Sequence, residues 1–431
     1  MAQPAVSGEQ GARGEGAGPA GAPPDGGVSR AAVIGLAVLC VSYMLNAMDR
    51  QVFYPLVPPI REEFGFSLDQ AGLLATGFTL GLALTGLPAG YLLDRMSRRT
   101  IVVVSVLVYS LGTVAIPLAS GFVDMAVYRL VSGIGEGVQA TAIYAVIGAY
   151  FFHRRALAAG FIGLAFGLGV FLGPVLGQAL VEASGTWRTP FYVFGVAGLV
   201  MAAILLVAVP RSMSEAVTGR AGTADTASYE HVPASPYNRG SLGLGIASAV
   251  SGLVFYGFLG LYPTFLREQL GFGPGEAALA ASLVGFGAMM ALPVGWLADR
   301  VDQRLLLAVG FVGSALTALL AYQVADGVAA QYVLAFLMGT FASGVLFTNC
   351  STALQRAVRP EHVGRGAGLF ILTYYVAAAA SGLIFARLVA GMGWAGAGLV
   401  QLTLLPVVGL LALALVDPKR MIVPPRVRAK G

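Results

Sequence analysis

Asp49 and Arg50 are adjacent, and they fall inside an apolar stretch that runs from Ala31 to about Ile60. An acid and a base at bilayer depth are costly unless they face each other or a polar cavity, and such residues mark substrate or proton paths. Two further ionisable residues lie equally deep in long apolar stretches, Arg129 and Glu136. The chemistry open to this quartet is ion gripping and proton exchange. An arginine stays charged and takes a carboxylate with two parallel N–H donors. Burial drives a carboxyl toward its neutral form and a neighbouring arginine drives it toward the ionised one, so withdrawing that arginine invites a proton. The alternative for Asp49 and Arg50 is a structural pair that locks two helices.

Helical spacing sorts these residues onto faces. Arg129, Gly133, Glu136 and then Gln139 or Ala140 recur on one face of a helix. Arg129 and Glu136 are two turns apart, roughly 10 Å at ~1.5 Å per residue, too far to pair directly. Tyr43, Asn46 and Arg50 share a face of the first helix, with Asp49 beside it. Counting the rise from each helix end sets Glu136 near the midplane, Asp49 and Arg50 slightly outward, and Arg129 further out. The expected pairs are therefore Asp49 with Arg129 and Arg50 with Glu136, both bridging the first and fourth helices. Arg50, Asn46, Tyr43 and Gln139 are candidate substrate ligands, and Asp49, Glu136 and Arg129 candidate proton-coupling residues. The second half has no deep ionisable group. It offers Tyr256, Tyr262, Asn349, Tyr374 and Tyr375 as hydroxyls, an amide and aromatic faces; the alternative for any single tyrosine is packing.

The elements that must position these groups follow from composition. The chain has 431 residues, of which 57% are hydrophobic and 11% charged, where a soluble protein carries about 25% charged residues. That balance describes an all-α polytopic membrane protein. Its 59 glycines suit helices packed closely in lipid. The net charge of +5 reflects loop placement and points to no nucleic acid. Cys40 and Cys350 lie far apart in apolar runs and are expected as free thiols. His153, His231 and His362 fall in loops, and no metal-ligand spacing is present. Gly133-Ile-Gly135-Glu-Gly137 has no preceding strand and is no nucleotide loop, and there is no Walker motif. No cofactor is expected.

Twelve helices are expected at 31–60, 69–93, 99–120, 123–151, 156–183, 189–210, 241–268, 274–298, 303–325, 329–355, 361–390 and 393–416. Residues 1–30 form a disordered, Gly-, Ala- and Pro-rich tail and no signal peptide, 211–240 a polar cytoplasmic linker, and 417–431 a basic tail. The bundles are 31–210 and 241–416. With the N-terminus inside, twenty of the 26 Lys and Arg fall on the cytoplasmic side. Four fall outside, Arg61, Arg188, Arg267 and Arg387, and two lie in the membrane. That bias puts both termini in the cytoplasm of an inner or plasma membrane. The halves also repeat. Gly90-Tyr-Leu-Leu-Asp94-Arg95 recurs as Gly295-Trp-Leu-Ala-Asp299-Arg300, and Arg61-Glu-Glu-Phe-Gly65-Phe66 as Arg267-Glu-Gln-Leu-Gly271-Phe272. Parallel halves imply a site at the midplane between them.

The chain from 31 to 416 resembles the major facilitator superfamily of secondary transporters. Gly90-x-x-x-Asp94-Arg95-x-x-Arg98-Arg99 is similar to that family's cytoplasmic loop motif, with Ser97 where glycine is usual. Arg129-x-x-x-Gly133-x-Gly135 is similar to its helix 4 motif. Gly160-x8-Gly169-x3-Gly173-Pro174-x2-Gly177-Gln178 resembles a helix 5 motif associated with exporters, with Gln178 replacing the final glycine. The four deep charges resemble two branches, the anion:cation symporters and the spinster-like lipid transporters. Tyr262-Pro263-Thr264-Phe265-Leu266 leans toward the first branch, the helix 5 motif toward export.

The resemblance implies alternating access, a gate formed by Gly90, Asp94, Arg95, Arg98, Asp299 and Arg300, and a monomer in the lipid bilayer. The leading expectation is a proton-coupled carrier of a small carboxylate-type organic anion. The alternative is a proton-driven exporter of drug-like or amphiphilic, lysolipid-like compounds. A membrane-bound enzyme or receptor of similar topology has no support, since no catalytic triad, metal site or soluble domain is present.

Overall fold

The computed structural model describes residues 30–150, 155–209, 231–298, 300–359 and 362–422. Within them the chain is helical, with no strand. The elements in order are α1 (Arg30–Phe64), α2 (Leu68–Arg95), α3 (Arg98–Ala115), α4 (Phe122–Tyr150), α5 (Arg155–Ser184) and α6 (Arg188–Ala208). Then come α7 (Arg239–Glu268), α8 (Pro274–Ala288), α9 (Ala291–Ala298), α10 (Gln303–Gln323), α11 (Val328–Met338), α12 (Thr348–Arg356), α13 (Val363–Ala397) and α14 (Leu405–Ala412). A π-helical run, Gly339–Phe347, joins α11 to α12, and a second, Gly398–Leu404, joins α13 to α14. The twelve expected segments are helical over most of their length; 274–298, 329–355 and 393–416 are each divided among two or more elements, and residues 151, 210 and 361 lie outside the described residues. Among the described residues, ten helical runs are long and apolar enough to cross a membrane. The last, Arg365–Leu415, is broken at Gly393, whose φ of 74° and ψ of 175° are not helical. The tail expected at 1–30 lies outside the described residues except Arg30, as do 211–230 of the linker and 423–431 of the basic tail.

Local sequence explains where the helices begin and end. Ser67 caps α2 by accepting from the Gln70 backbone N–H, while Gln70 reaches back to Ser67, a reciprocal arrangement that satisfies two orphan donors. Asn238 and Ser241 do the same for α7. Ser97, unusual for the loop motif, caps α3 through Thr100. The two repeated glycines also have a reason. Gly65 and Gly271 sit after α1 and α7 at φ 66° and 72°, the left-handed region that a side chain disfavours.

Small residues let the helices close up, as expected in lipid. A Cβ on Gly133 of α4 would lie 2.1 Å from the Phe78 carbonyl of α2, and one on Gly135 would meet Tyr109 of α3 at 2.5 Å. On α5, Gly169 and Gly173 are seated against the Met44 and Met48 carbonyls of α1. The glycines of the helix 5 motif therefore form the bed for the α1 segment that carries Asp49 and Arg50. Gly72 of α2 and Gly382 of α13 oppose each other, each with its would-be Cβ within 2.3 Å of the other's carbonyl oxygen. Thr76 and Thr79 of α2 reinforce that crossing by donating to the Ala379 and Tyr375 carbonyls of α13. The outside of the bundle is apolar: Val207 is 88% and Leu411 69% exposed, a surface suited to hydrocarbon and not to water.

Candidate functional site

All four deep charges are buried, at 4% exposure or less. Arg50 Nε donates to Glu136 Oε2 at 2.7 Å. This is the bridge between α1 and α4 that spacing predicts. The second expected pair does not form. Arg129 donates to the Leu74 and Ala75 carbonyls of α2 at 3.2 and 3.3 Å. Its guanidinium carbon lies 4.0 Å from the Phe53 ring centroid and 4.5 Å from that of Phe78. Two aromatic faces and two carbonyls give the cation its compensation, as desolvated cation–π contacts allow. Asp49 turns instead to hydroxyls. Thr113 Oγ1 of α3 donates to Asp49 Oδ2 at 2.6 Å, and Ser132 Oγ of α4 lies 3.2 Å from the same oxygen.

Ser132 Oγ is also 3.2 Å from Glu136 Oε1. One hydroxyl has one proton and cannot donate to two carboxylates at once. Ser132 Oγ can therefore donate to Asp49 or to Glu136, but to one of them at a time. Ser132 thus lies between the two carboxyl groups, within hydrogen-bond distance of each. Sequence reading missed Ser132 and Thr113. Ser132 sits four residues before Glu136 and three after Arg129, on the same helical face, and that spacing is the signal that could have found it.

The polar chain continues along α1 and α4. Arg50 Nη2 donates to Asn46 Oδ1 at 3.4 Å, Asn46 Nδ2 donates to Gln139 Oε1 at 2.8 Å, and Gln139 Nε2 donates to Ser42 Oγ at 2.7 Å. Asn46 and Gln139 therefore hold the inner edge of Arg50. Its aromatic surroundings come from both halves. The guanidinium carbon is 5.7 Å from the Phe78 centroid and 5.5 Å from that of Phe166. Tyr43 packs on Phe166 at 5.1 Å. Tyr256 of α7 is 6.3 Å from Phe78 and meets Tyr374 and Tyr375 of α13 at 6.1 and 6.4 Å. The Tyr256 and Tyr375 hydroxyls are electrostatic neighbours of Arg50. The Tyr54 and Tyr374 hydroxyls are buried with no hydrogen-bond partner. Tyr54, one turn beyond Arg50, was not among the sequence candidates.

Tyr262 and Asn349 are not brought to this cluster. The Tyr262 hydroxyl donates to Gln331 at 2.9 Å and its ring stacks on Phe258. Asn349 donates back to the Val345 carbonyl at 2.7 Å, and its own carbonyl accepts from Gln303. Of the expected gate, Asp299 and the side chain of Asp94 lie outside the described residues, and Gly90 lies within α2. Arg95 ends α2 and Arg98 opens α3. Arg300 lies over the Trp296 ring. Both cysteines are free.

At the opposite face, the one carrying the turns at Gly65 and Gly271, the two halves are tied by charge. Arg61 at the end of α1 pairs with Glu268 of α7 at 2.5 Å, and Arg387 of α13 pairs with Asp69 of α2 at 3.2 Å. A third pair, Arg188 with Glu63 at 2.5 Å, stays within the first half, with Trp187 Nε1 donating to the same carboxylate.

A buried ion pair between long apolar helices, with aromatic residues from both halves around it, defines a membrane transporter. Comparison agrees. The Major Facilitator Superfamily profile matches residues 39–243 and again 244–430, and the chain belongs to that family. It is a transporter and not an enzyme, and it is an integral membrane protein. Its relatives include organic-anion transporters. It is 25% identical over 376 residues to the cis,cis-muconate transport protein of Acinetobacter baylyi, covering 84% of this chain and 87% of that one. It is 31% identical over 161 residues to a probable chloroplastic anion transporter of Arabidopsis thaliana, there spanning 31% of the relative's length. A solved bacterial homolog of the human lysosomal transporter Spinster superposes with a TM-score of 0.71 at 19% identity, over 93% of this chain and 100% of that one.

Proposed function

We propose that this chain is a proton-coupled secondary transporter of small carboxylates that works by alternating access. The observation that carries this reading is the Arg50–Glu136 contact, with Ser132 and Asp49 behind it. An incoming carboxylate competes with Glu136 for Arg50. Once displaced, Glu136 is a buried carboxylate without its cation, and it takes up a proton. Substrate and proton load together. The Ser132 hydroxyl lets the proton pass between Glu136 and Asp49 without crossing apolar space. Arg129, held by rings and carbonyls, keeps a fixed positive charge beside them. Tyr256, Tyr374, Tyr375 and Tyr54 supply rings for the rest of the substrate, Tyr54 and Tyr374 with unpartnered hydroxyls, while Tyr43, Asn46 and Gln139 set the orientation of Arg50.

The halves 31–210 and 241–416 are the rocking bodies, joined by 211–240. With both termini cytoplasmic, the face tied by Arg61–Glu268 and Asp69–Arg387 is the outer one, and these two pairs hold it shut. The segment holding Gly90, Asp94, Arg95, Arg98, Asp299 and Arg300 would close the inner face in the opposite state. The helix 5 glycines seat α1, which gives that motif a packing role and supports the anion reading over drug or lysolipid export.

The test is uptake into proteoliposomes of a panel of carboxylates, cis,cis-muconate included, under an imposed pH gradient. Uptake that follows the gradient is expected, with Arg50→Lys impaired nearly as much as Arg50→Ala because the planar fork is lost. Unchanged substrate affinity in Arg50→Ala would sink the anion reading.

A further inference from the structure

At the end of the second half opposite the Gly271 turn, a cavity of about 510 Å³ opens between α7, α10 and the last helical segment. Its wall carries three arginines: Arg239 in the first turn of α7, Arg304 in the first turn of α10, and Arg420 beyond α14. All three side chains are exposed. Among the described residues, the Arg239 and Arg304 guanidinium groups have no hydrogen-bond or ion-pair partner. Arg420 has Asp417 at 3.7 Å, both well exposed, a contact of little strength. The two acids nearby are engaged by the backbone: Asp417 accepts from Lys419 N and Asp302 from Arg304 N. The N-termini of α7 and α10 both open at this cavity and add their positive ends.

A second depression of about 450 Å³ shares Arg304 and is otherwise lined by Asp302, Leu305, Ala308, Leu410 and Leu413. It leads away from the arginines onto apolar surface. Along α10 the exposed large hydrophobic residues are Leu305, Val309, Val312, Leu316 and Leu320, at 44–58% exposure, one lipid-facing stripe at helical spacing. The basic cavity and the apolar groove meet at one side chain, Arg304.

We infer that this pair of cavities is a binding site for an anionic phospholipid of the surrounding leaflet. The phosphate and headgroup lie among Arg239, Arg304 and Arg420, and an acyl chain lies along Leu305, Ala308, Leu410 and Leu413. Basic pockets between helices at a membrane surface hold anionic headgroups in this manner. A soluble phosphate would use the arginines but leave the groove empty, and a zwitterionic lipid would use the groove without a net charge to offer the arginines. The bound lipid staples the first turns of α7 and α10 to the end of the chain.

The full-length chain is purified in detergent and titrated with long-chain phosphatidylglycerol, phosphatidylcholine, dihexanoyl phosphatidylglycerol and inorganic phosphate. Bound adducts are counted by native mass spectrometry, and thermal stability is read in parallel. Phosphatidylglycerol should bind and raise Tm, the short-chain analogue should bind more weakly, and phosphatidylcholine and phosphate should do neither. Arg239→Gln/Arg304→Gln should weaken phosphatidylglycerol binding roughly 30-fold, as expected from two arginines near a lipid surface. Arg304→Lys, which keeps the charge, should retain most of it. Equal phosphatidylglycerol binding by the double variant and the parent would overturn the site. Phosphate or the short-chain analogue acting as well as the long-chain lipid would overturn the groove as its acyl seat.

Discussion

Replacing Glu136 with Gln separates the two halves of the proposed cycle. The side chain is fully buried, and its contact with Arg50 is a charge-assisted hydrogen bond of 2.7 Å. Gln keeps the shape and an acceptor oxygen but removes the negative charge. Hydrogen bonds to charged groups contribute ~1.5–3 kcal/mol, so the resting site loses about that much stabilisation. The same loss removes the competitor that a substrate carboxylate must displace. Substrate should therefore bind more tightly, by roughly tenfold to a hundredfold. The loaded carrier still reorients, so exchange of internal for external substrate persists. Net accumulation fails, because a permanently neutral group cannot release a proton and let the empty carrier return. With one proton per anion, a pH difference of one unit sustains about tenfold accumulation in the parent, and none is expected in Glu136→Gln. The assays are calorimetric binding, counterflow exchange and gradient-driven uptake in the same proteoliposomes. Accumulation equal to the parent would show that Glu136 is not the coupling site and would leave Asp49 as the next candidate. Unchanged affinity would show that substrate does not compete with Glu136 for Arg50.

Ser132→Ala removes the hydroxyl shared by Asp49 and Glu136 while leaving Arg50 untouched. Gradient-driven uptake should slow several-fold with counterflow exchange close to the parent, and a parallel fall in both would make Ser132 a packing residue only. Gly72→Val places side-chain atoms against the Gly382 carbonyl, where a Cβ alone would lie at 2.3 Å. Overpacking of this kind costs about 1–3 kcal/mol. The state in which α2 and α13 touch should thus lose population roughly fivefold or more. Spin labels at Gln70 and Leu388 should report a longer distance; an unchanged distribution would mean that this crossing opens in neither state.

The helices and their order were legible because hydrophobic length is a strong and local signal. So were the turns at Gly65 and Gly271, where a repeated motif marked a backbone need. Arg50 with Glu136 was legible from helical faces and depth. Arg129 was not. Counting rise along an axis gives depth, but it does not say which way a helix is rotated or what else arrives at that level. Phe53 and Phe78 come from two different helices, and no pattern in either announces a cation between them. The serine and threonine around Asp49 were overlooked for a related reason: hydroxyls are frequent in apolar helices, where most bond to the preceding turn. Tyr262 and Asn349 show the reverse error, polar groups at plausible depth whose partners, Gln331 and the Val345 carbonyl, lie within their own half. The π-helical runs at Gly339–Phe347 and Gly398–Leu404 carry no sequence mark at all.

That Arg129 answers to rings and carbonyls, and not to Asp49, fixes the charge ledger of the site. Two arginines and two carboxylates sum to zero when both acids are ionised. A monoanion entering with one proton leaves that sum at zero, and a dianion does so only if both Glu136 and Asp49 are protonated. The two acids therefore set a ceiling of two compensating protons per cycle. A tricarboxylate would have to cross as a net charge, against or with the membrane voltage. On this reading, uptake of mono- and dianions is indifferent to a potassium diffusion potential clamped with valinomycin. A strong voltage dependence for a monoanion would mean that the number of protons carried differs from the number of negative charges on the substrate.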